Sequence, residues 1–212
     1  MFGLVPDSER QGVLTTLAAN VERQGHIDTG IIGAKNVLHA LSEGGRTDLA
    51  YHIVVQQELP GWGYWVKQGA TTLWETWKGE ASRNHIMFGD VSNWFFQWLA
   101  GIGPDPCGPG FRRVRIRPTP VADLVWAKGK YDSIRGTIIS DWRRDENRFQ
   151  LNLTIPANVS ATVWIPATKK HRVTESGEQV VKAKGVRIVQ ELEDRKIFNV
   201  NSGHYLFDVS GF

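Results

Sequence analysis

One cysteine in 212 residues, Cys107, excludes a disulfide framework and any metal cluster built on thiolates. It reads as a passive small apolar residue. No apolar run approaches the roughly 18 residues that a membrane-spanning helix needs. The opening MFGLVPDSER has neither the basic start nor the long apolar stretch of a signal peptide. A nucleic-acid reader motif is also missing. The net charge of +3 divides unevenly, with 7 Lys/Arg against 10 Asp/Glu in residues 1–103 and 18 against 12 in residues 104–212. Much of the basic excess lies in FRRVRIRP and WRRDENR, where basic residues alternate or are mixed with acids as on solvated strand faces. Neither nucleic acid nor a membrane is therefore expected as a partner. Apolar residues at 41% and charged residues at 22% are ordinary for a globular protein. The length suffices for one large domain or two small ones with buried cores.

The hydrophobic period changes along the chain. In the first half, Ser8-Glu9-Arg10-Gln11 has the form of a capping box and predicts a helix start. Leu14, Leu17, Ala18 and Val21 follow at helical spacing, and Ala34, Val37, Leu38 and Leu41 repeat it before a stop at Gly44-Gly45. Thr47-Asp48 begins a third predicted helix, running to about Leu59 and halted by Pro60. Val91, Trp94, Phe95, Trp98, Leu99 and Ile102 form a fourth stripe, ended by Gly103-Pro104. The second half turns to period two. Phe149, Leu151, Leu153 and Ile155 alternate with polar residues, as do Ala161, Val163 and Ile165; LVWAKGKY, IRGTIISDW, VRIVQEL and HYLFDVS are further strands. About six to eight short strands predict an antiparallel β-sandwich. The Gly/Pro-rich run from Gly101 to Gly110 marks the boundary, giving domains of 1–103 and 104–212.

Between the third and fourth helices lies an irregular stretch from Pro60 to about Phe88. Long connections in compact domains are uncommon and usually functional or disordered, and this one is too aromatic for disorder. It holds Trp62, Trp65, Trp74 and Trp77, four of the nine tryptophans. Inside it, GATTLWETW (Gly69 to Trp77) sets one carboxylate, Glu75, between two indoles. Taken alone, Glu75 also fits a surface acid on a short helix. The four tryptophans fit a sugar platform or a core equally well, whereas Trp94 and Trp98, at helical spacing, fit a core better. His26 and Asp28, in HIDTG, fit either the rim of the same site or a simple turn.

The run GWGYWVKQGATTLWETW, followed by SRNHIMFGDVSNWFFQWLAGI, resembles the α-L-rhamnosidases of glycoside hydrolase family 78. FGLVPDSER, HIDTGIIG, GRTDLAYHIVVQ and GFRRVRIRPTP are similar to the same family. The resemblance runs to about residue 120, and the strand-rich remainder is similar to the domain after the family's catalytic one. It implies the C-terminal part of an (α/α)6-barrel catalytic domain followed by an antiparallel β-sandwich. It implies release of terminal α-L-rhamnose from glycosides or polysaccharides with inversion, needing no metal or cofactor. Glu75 corresponds to the family's general base and His85 to a residue that contacts the sugar. Trp62, Trp65 and Trp74 are then candidate sugar-binding walls. Inverting glycosidases pair an acid with a base roughly 6.5–9.5 Å apart. The base stays ionised through nearby donors, for which Thr71, Thr72 and His85 are candidates.

Residues 1–103 supply only about four or five helices of such a barrel, and no segment before Glu75 matches the family's acid motif of aspartate, arginine and tryptophan. The chain is therefore expected to be part of a larger enzyme, inactive alone, with its general acid upstream of Met1. Its compartment is left unknown, because the true N-terminus is expected to lie elsewhere. Two other readings stand beside this one: a non-catalytic carbohydrate-binding protein, and another (α/α)6-barrel glycosidase.

Overall fold

A computed structural model describes residues 4–212, so Phe2 and Gly3 of FGLVPDSER lie outside the described residues. The chain divides into two compact units, Met1–Trp94 and Phe95–Phe212.

The first unit is helical: α1 (Arg10–Gln24), α2 (Ile31–Glu43), α3 (Thr47–Val55), α4 (Trp62–Lys67) and α5 (Asp90–Trp94). The predicted capping box does not form. Helix α1 begins at Arg10 with Glu9 at its N-cap and no side-chain cap, so Ser8 stands one residue too early to bond the first turn. The predicted α2 stripe is buried in full, at Ala34, Val37, Leu38 and Leu41. Beyond Gly44-Gly45 the Arg46 N–H returns to Leu41 O at 2.8 Å and closes the helix. Helix α3 starts at Thr47 as predicted but stops at Val55 rather than near Leu59. Gln56 turns extended there, and its side-chain amide donates to Glu58 O at 2.8 Å and Pro60 O at 2.7 Å. Those bonds give the carbonyls past the helix a partner and fix the turn into the aromatic segment. No helix among the described residues is long and apolar enough to cross a membrane.

The fourth predicted stripe is not one helix. After α5, Phe95–Leu99 winds as a π-helical turn, and Ile102 belongs to a strand. Gly101 explains the break. Its φ is +84°, and a Cβ there would lie 2.2 Å from Pro118 N, so only glycine lets the chain pass so close to its neighbour. The predicted boundary run from Gly101 to Gly110 thus opens with a paired strand.

The second unit packs two sheets. Strands β1 (Ile102–Pro104), β2 (Arg113–Ile116), β6 (Ser160–Pro166), β10 (Arg195–Val200) and β9 (Val186–Glu191) form one, in the order β1-β2-β6-β10-β9. The other runs β3-β4-β5-β11-β7-β8, from β3 (Trp126–Ser133), β4 (Gly136–Arg144), β5 (Arg148–Ile155), β11 (Gly203–Ser210), β7 (Arg172–Glu175) and β8 (Glu178–Gln179). All pairings are antiparallel except β2 with β6, which is parallel. Period-two alternation sends Val163, Ile165 and Phe198 from the first sheet, and Ile138, Trp142, Phe149, Leu151 and Phe207 from the second, into one core. Trp142 donates its indole N–H to Leu99 O at 2.7 Å, and Ser140 its hydroxyl to Ala100 O at 2.6 Å. These bonds tie the entering segment to β4.

One charge is buried in this unit. The Arg195 side chain is 8% exposed, and its Nη1 donates to Pro118 O at 2.9 Å. Burial, with the like charge of Arg117, brings its pKa down to about 10. Cys107, by contrast, is exposed rather than packed.

Adjacent residues on β11 test the packing. Phe207, fully buried, should cost about 3–5 kcal/mol as Phe207→Ala. Exposed Leu206 should cost less than about 1 kcal/mol as Leu206→Ala. Urea unfolding followed by tryptophan fluorescence reads both.

Candidate active site

Residues 60–89 are mostly turns and bends, yet they hold one shape because their indoles bond the backbone. Trp62 Nε1 donates to Phe88 O at 3.1 Å, Trp65 Nε1 to Trp77 O at 2.8 Å, and Trp77 Nε1 to Thr29 O at 2.9 Å. The rings meet as well. Trp62 and Trp77 stand edge-on with centroids 5.1 Å apart, Trp65 lies 5.0 Å from Trp77 and 5.7 Å from Trp74, and Phe88 is 4.1 Å from Trp77. Each buried indole so gains ring contacts and a satisfied N–H together. The bond to Thr29 also brings the HIDTG loop beside this cluster. In that loop His26 Nδ1 lies 2.9 Å from its neighbour's carbonyl, Ile27 O, while Asp28 is exposed.

Glu75 sits on an irregular antiparallel turn built over the cluster. His85 N donates to Leu73 O and Glu75 N to Ser82 O, both at 2.8 Å. Ser82 N returns a bond to Glu75 Oε2 at 3.2 Å. The carboxylate is half-buried, with Oε1 left for another partner. The donors predicted from sequence are not the ones used. Thr72 Oγ1 donates instead to Arg83 O, and His85 Nδ1 accepts from Met87 N at 3.4 Å. That acceptor role puts the hydrogen of a neutral His85 on Nε2. Sequence reasoning missed Ser82, because a backbone N–H carries no residue signature.

Trp62, Trp65 and Trp74 are buried, and Trp77 is half-buried. In this chain the first three are packed against neighbouring side chains. Trp74 is covered by Arg83, whose guanidinium carbon lies 4.7 Å above the ring. Gly79 covers another part of it: a Cβ there would come within 2.5 Å of Trp74 Cε3, and its φ is +72°. Arg83 Nε donates to Gly79 O at 3.2 Å, joining the two covers. Trp94 is fully buried and Trp98 nearly so, as core residues. Among the described residues no group of three or more His, Cys, Asp or Glu is placed to hold a metal ion.

Comparison with known proteins identifies the family of the chain. Residues 1–99 match the model of the bacterial α-L-rhamnosidase six-hairpin glycosidase domain, and residues 101–179 that of the bacterial α-L-rhamnosidase C-terminal domain. An α-L-rhamnosidase of Streptomyces avermitilis is 33% identical over 98% of this chain and 20% of its own length. A structure of an α-L-rhamnosidase from Dictyoglumus thermophilum superposes with a TM-score of 0.88 at 34% identity, over 98% of this chain and 24% of that one. The S. avermitilis enzyme in complex with L-rhamnose gives a TM-score of 0.88 at 32% identity, over 98% and 20%. The chain thus spans about a fifth of the length of the curated relatives it matches.

The turn's dependence on Gly79 is testable. Gly69 also has positive φ, but open space surrounds it, so Gly69→Ala should cost only about 1–2 kcal/mol of backbone strain. Gly79→Ala adds a collision with a buried indole. It should lower the thermal midpoint further than Gly69→Ala and change the near-UV circular dichroism of the tryptophans, which Gly69→Ala should leave alone.

Proposed function

The chain belongs to the bacterial α-L-rhamnosidase family, and we propose that it carries the general-base side of a site that hydrolyses terminal α-L-rhamnosides with inversion. The reading rests on Glu75: one oxygen bonded by the Ser82 N–H, the other open, the whole group half-buried over a rigid aromatic base. A general base needs this balance. The donor orients the carboxylate, and apolar surroundings raise the effect of its charge on a nearby water. The water gives its proton to the open oxygen as its own oxygen attacks the anomeric carbon, and the leaving oxygen takes a proton from the acid.

His85 is the proposed sugar contact, donating from Nε2 to a hydroxyl. Trp62, Trp65 and Trp74, sealed by their own packing, form the wall that fixes the Glu75 turn. This arrangement speaks against a protein that merely holds sugar on these rings, because they are buried against one another, Phe88, Arg83 and Gly79. The general acid is proposed to come from outside these 212 residues, with residues 1–103 as part of the catalytic domain and 104–212 as the β domain. Exposed apolar side chains on the helical unit, such as Ile32, Val66 and Ile86, fit a domain that other segments cover.

Two measurements test the proposal. In a rhamnosidase containing this chain, Glu75→Gln should lower turnover of an aryl α-L-rhamnoside by about 10²–10⁴-fold, and a change below about threefold would remove Glu75 as the base. The 212-residue chain alone should show no turnover of the same substrate. Hydrolysis by the purified monomeric chain would contradict an acid supplied from elsewhere.

A further inference from the structure

The outer face of the β3-β4-β5-β11 sheet carries a row of side chains that its fold does not require. Strand register sets Trp126 opposite Arg143, Arg143 opposite Gln150, and Gln150 opposite Asp208. The inward neighbours on these strands, Trp142, Leu151 and Phe207, fill the core, so the row points away from it. Trp126 is 62% exposed at one end of the row, on the edge strand β3. It is left further in water than the other exposed aromatic residues of this unit, Phe95, Phe96 and Tyr131, which are 38–40% exposed.

The row beside Trp126 is hydrogen-bonded and fixed. Arg143 Nε donates to Gln150 Oε1 at 2.8 Å, Gln150 Nε2 to Asp208 Oδ2 at 2.7 Å, and Arg148 Nε to the same oxygen at 2.7 Å. Burial alone would raise the Asp208 carboxyl, but the bonds from Arg148 and Gln150 hold it below the usual carboxylate range. Arg148 and Lys128 have carboxylate partners, Asp208 and Asp141. Arg143, exposed and next to Trp126, is bonded to a neutral amide instead. Its charge acts on Asp208 from a distance, with no direct bond to a carboxylate among the described residues. The backbone leading into Trp126 is also held, since Arg144 N donates to Val125 O at 2.8 Å and Arg144 Nε to Leu124 O at 3.0 Å.

We propose that this face is a binding site for an acidic, uronate-bearing glycan, with Trp126 stacking on a pyranose ring and Arg143 bonding the sugar carboxylate. A flat indole suits the C–H face of a pyranose. A guanidinium tethered through Nε still presents its terminal nitrogens, and carboxylate is the group that fits them. The site belongs to the β unit alone and is independent of Glu75. It gives that unit a role in holding polymeric substrate, separate from the chemistry.

The test is affinity electrophoresis of the 212-residue chain through gels containing rhamnogalacturonan, its carboxyl-reduced form, or no glycan. Migration should be retarded by the acidic glycan and less by the reduced one. Trp126→Ala should weaken binding at least about tenfold, with Trp126→Phe recovering most of it. Arg143→Gln should weaken binding to the acidic glycan about as much as carboxyl reduction does, and Lys169→Gln, an exposed lysine in a turn, should not. Glu75→Gln should leave retardation unchanged, which separates this site from the proposed catalytic one. No retardation of the parent chain, an unaffected Trp126→Ala, or an Arg143→Gln no weaker than Lys169→Gln would overturn the proposal.

Discussion

Three indole N–H bonds to backbone carbonyls hold the irregular segment of residues 60–89 in shape. Residues 60–89 contain one short helix and little other regular structure, so few of their backbone groups are satisfied by a ladder or a helix. Trp62, Trp65 and Trp77 supply partners from their side chains, to Phe88, Trp77 and Thr29. Each bond also draws a large ring into the cluster, which joins the polar and apolar contributions to one side chain. The Glu75 turn rests on this base, and its position follows from it. Without the cluster the turn would keep only its own polar bonds, those of Thr72 to Arg83, Ser82 to Glu75 and Arg83 to Gly79.

Much of the architecture is legible in the sequence because it rests on periodicity. The α2 stripe, the start of α3, and the alternation along β4, β5, β6 and β11 all read correctly, since burial on one face leaves a mark at fixed spacing. Strand β10 was missed because RKIFNV opens with two charged residues; Arg195 is nevertheless buried, through bonds to carbonyls that no local pattern reveals. The stripe from Val91 to Ile102 misled for another reason. Its spacing is helical throughout, but the tight passage at Gly101 ends the helix early, and the contact that enforces this comes from Pro118.

The candidate site was legible in a different way. Glu75 and His85 stood out through a motif, not through any period. The physical setting of Glu75 was not visible, because its donor is a backbone N–H. The tryptophans show the same limit. A tryptophan at irregular spacing gives no sign whether its face meets sugar or another ring, and here the rings meet one another. In this chain Trp62, Trp65 and Trp74 are buried. Trp126 is the converse case: it lies on a regular strand, reads as one more apolar strand residue, and emerges exposed.

The central claim is that Glu75 acts on water and not on the sugar. The most direct measurement is the anomeric form of the first L-rhamnose released by a rhamnosidase containing this chain, followed by proton NMR before mutarotation mixes the anomers. An α-L-rhamnoside attacked by water from the opposite face yields β-L-rhamnose first, which is the result predicted. Initial release of the α anomer would mean a covalent intermediate and a nucleophilic carboxylate, and would contradict the role assigned to Glu75.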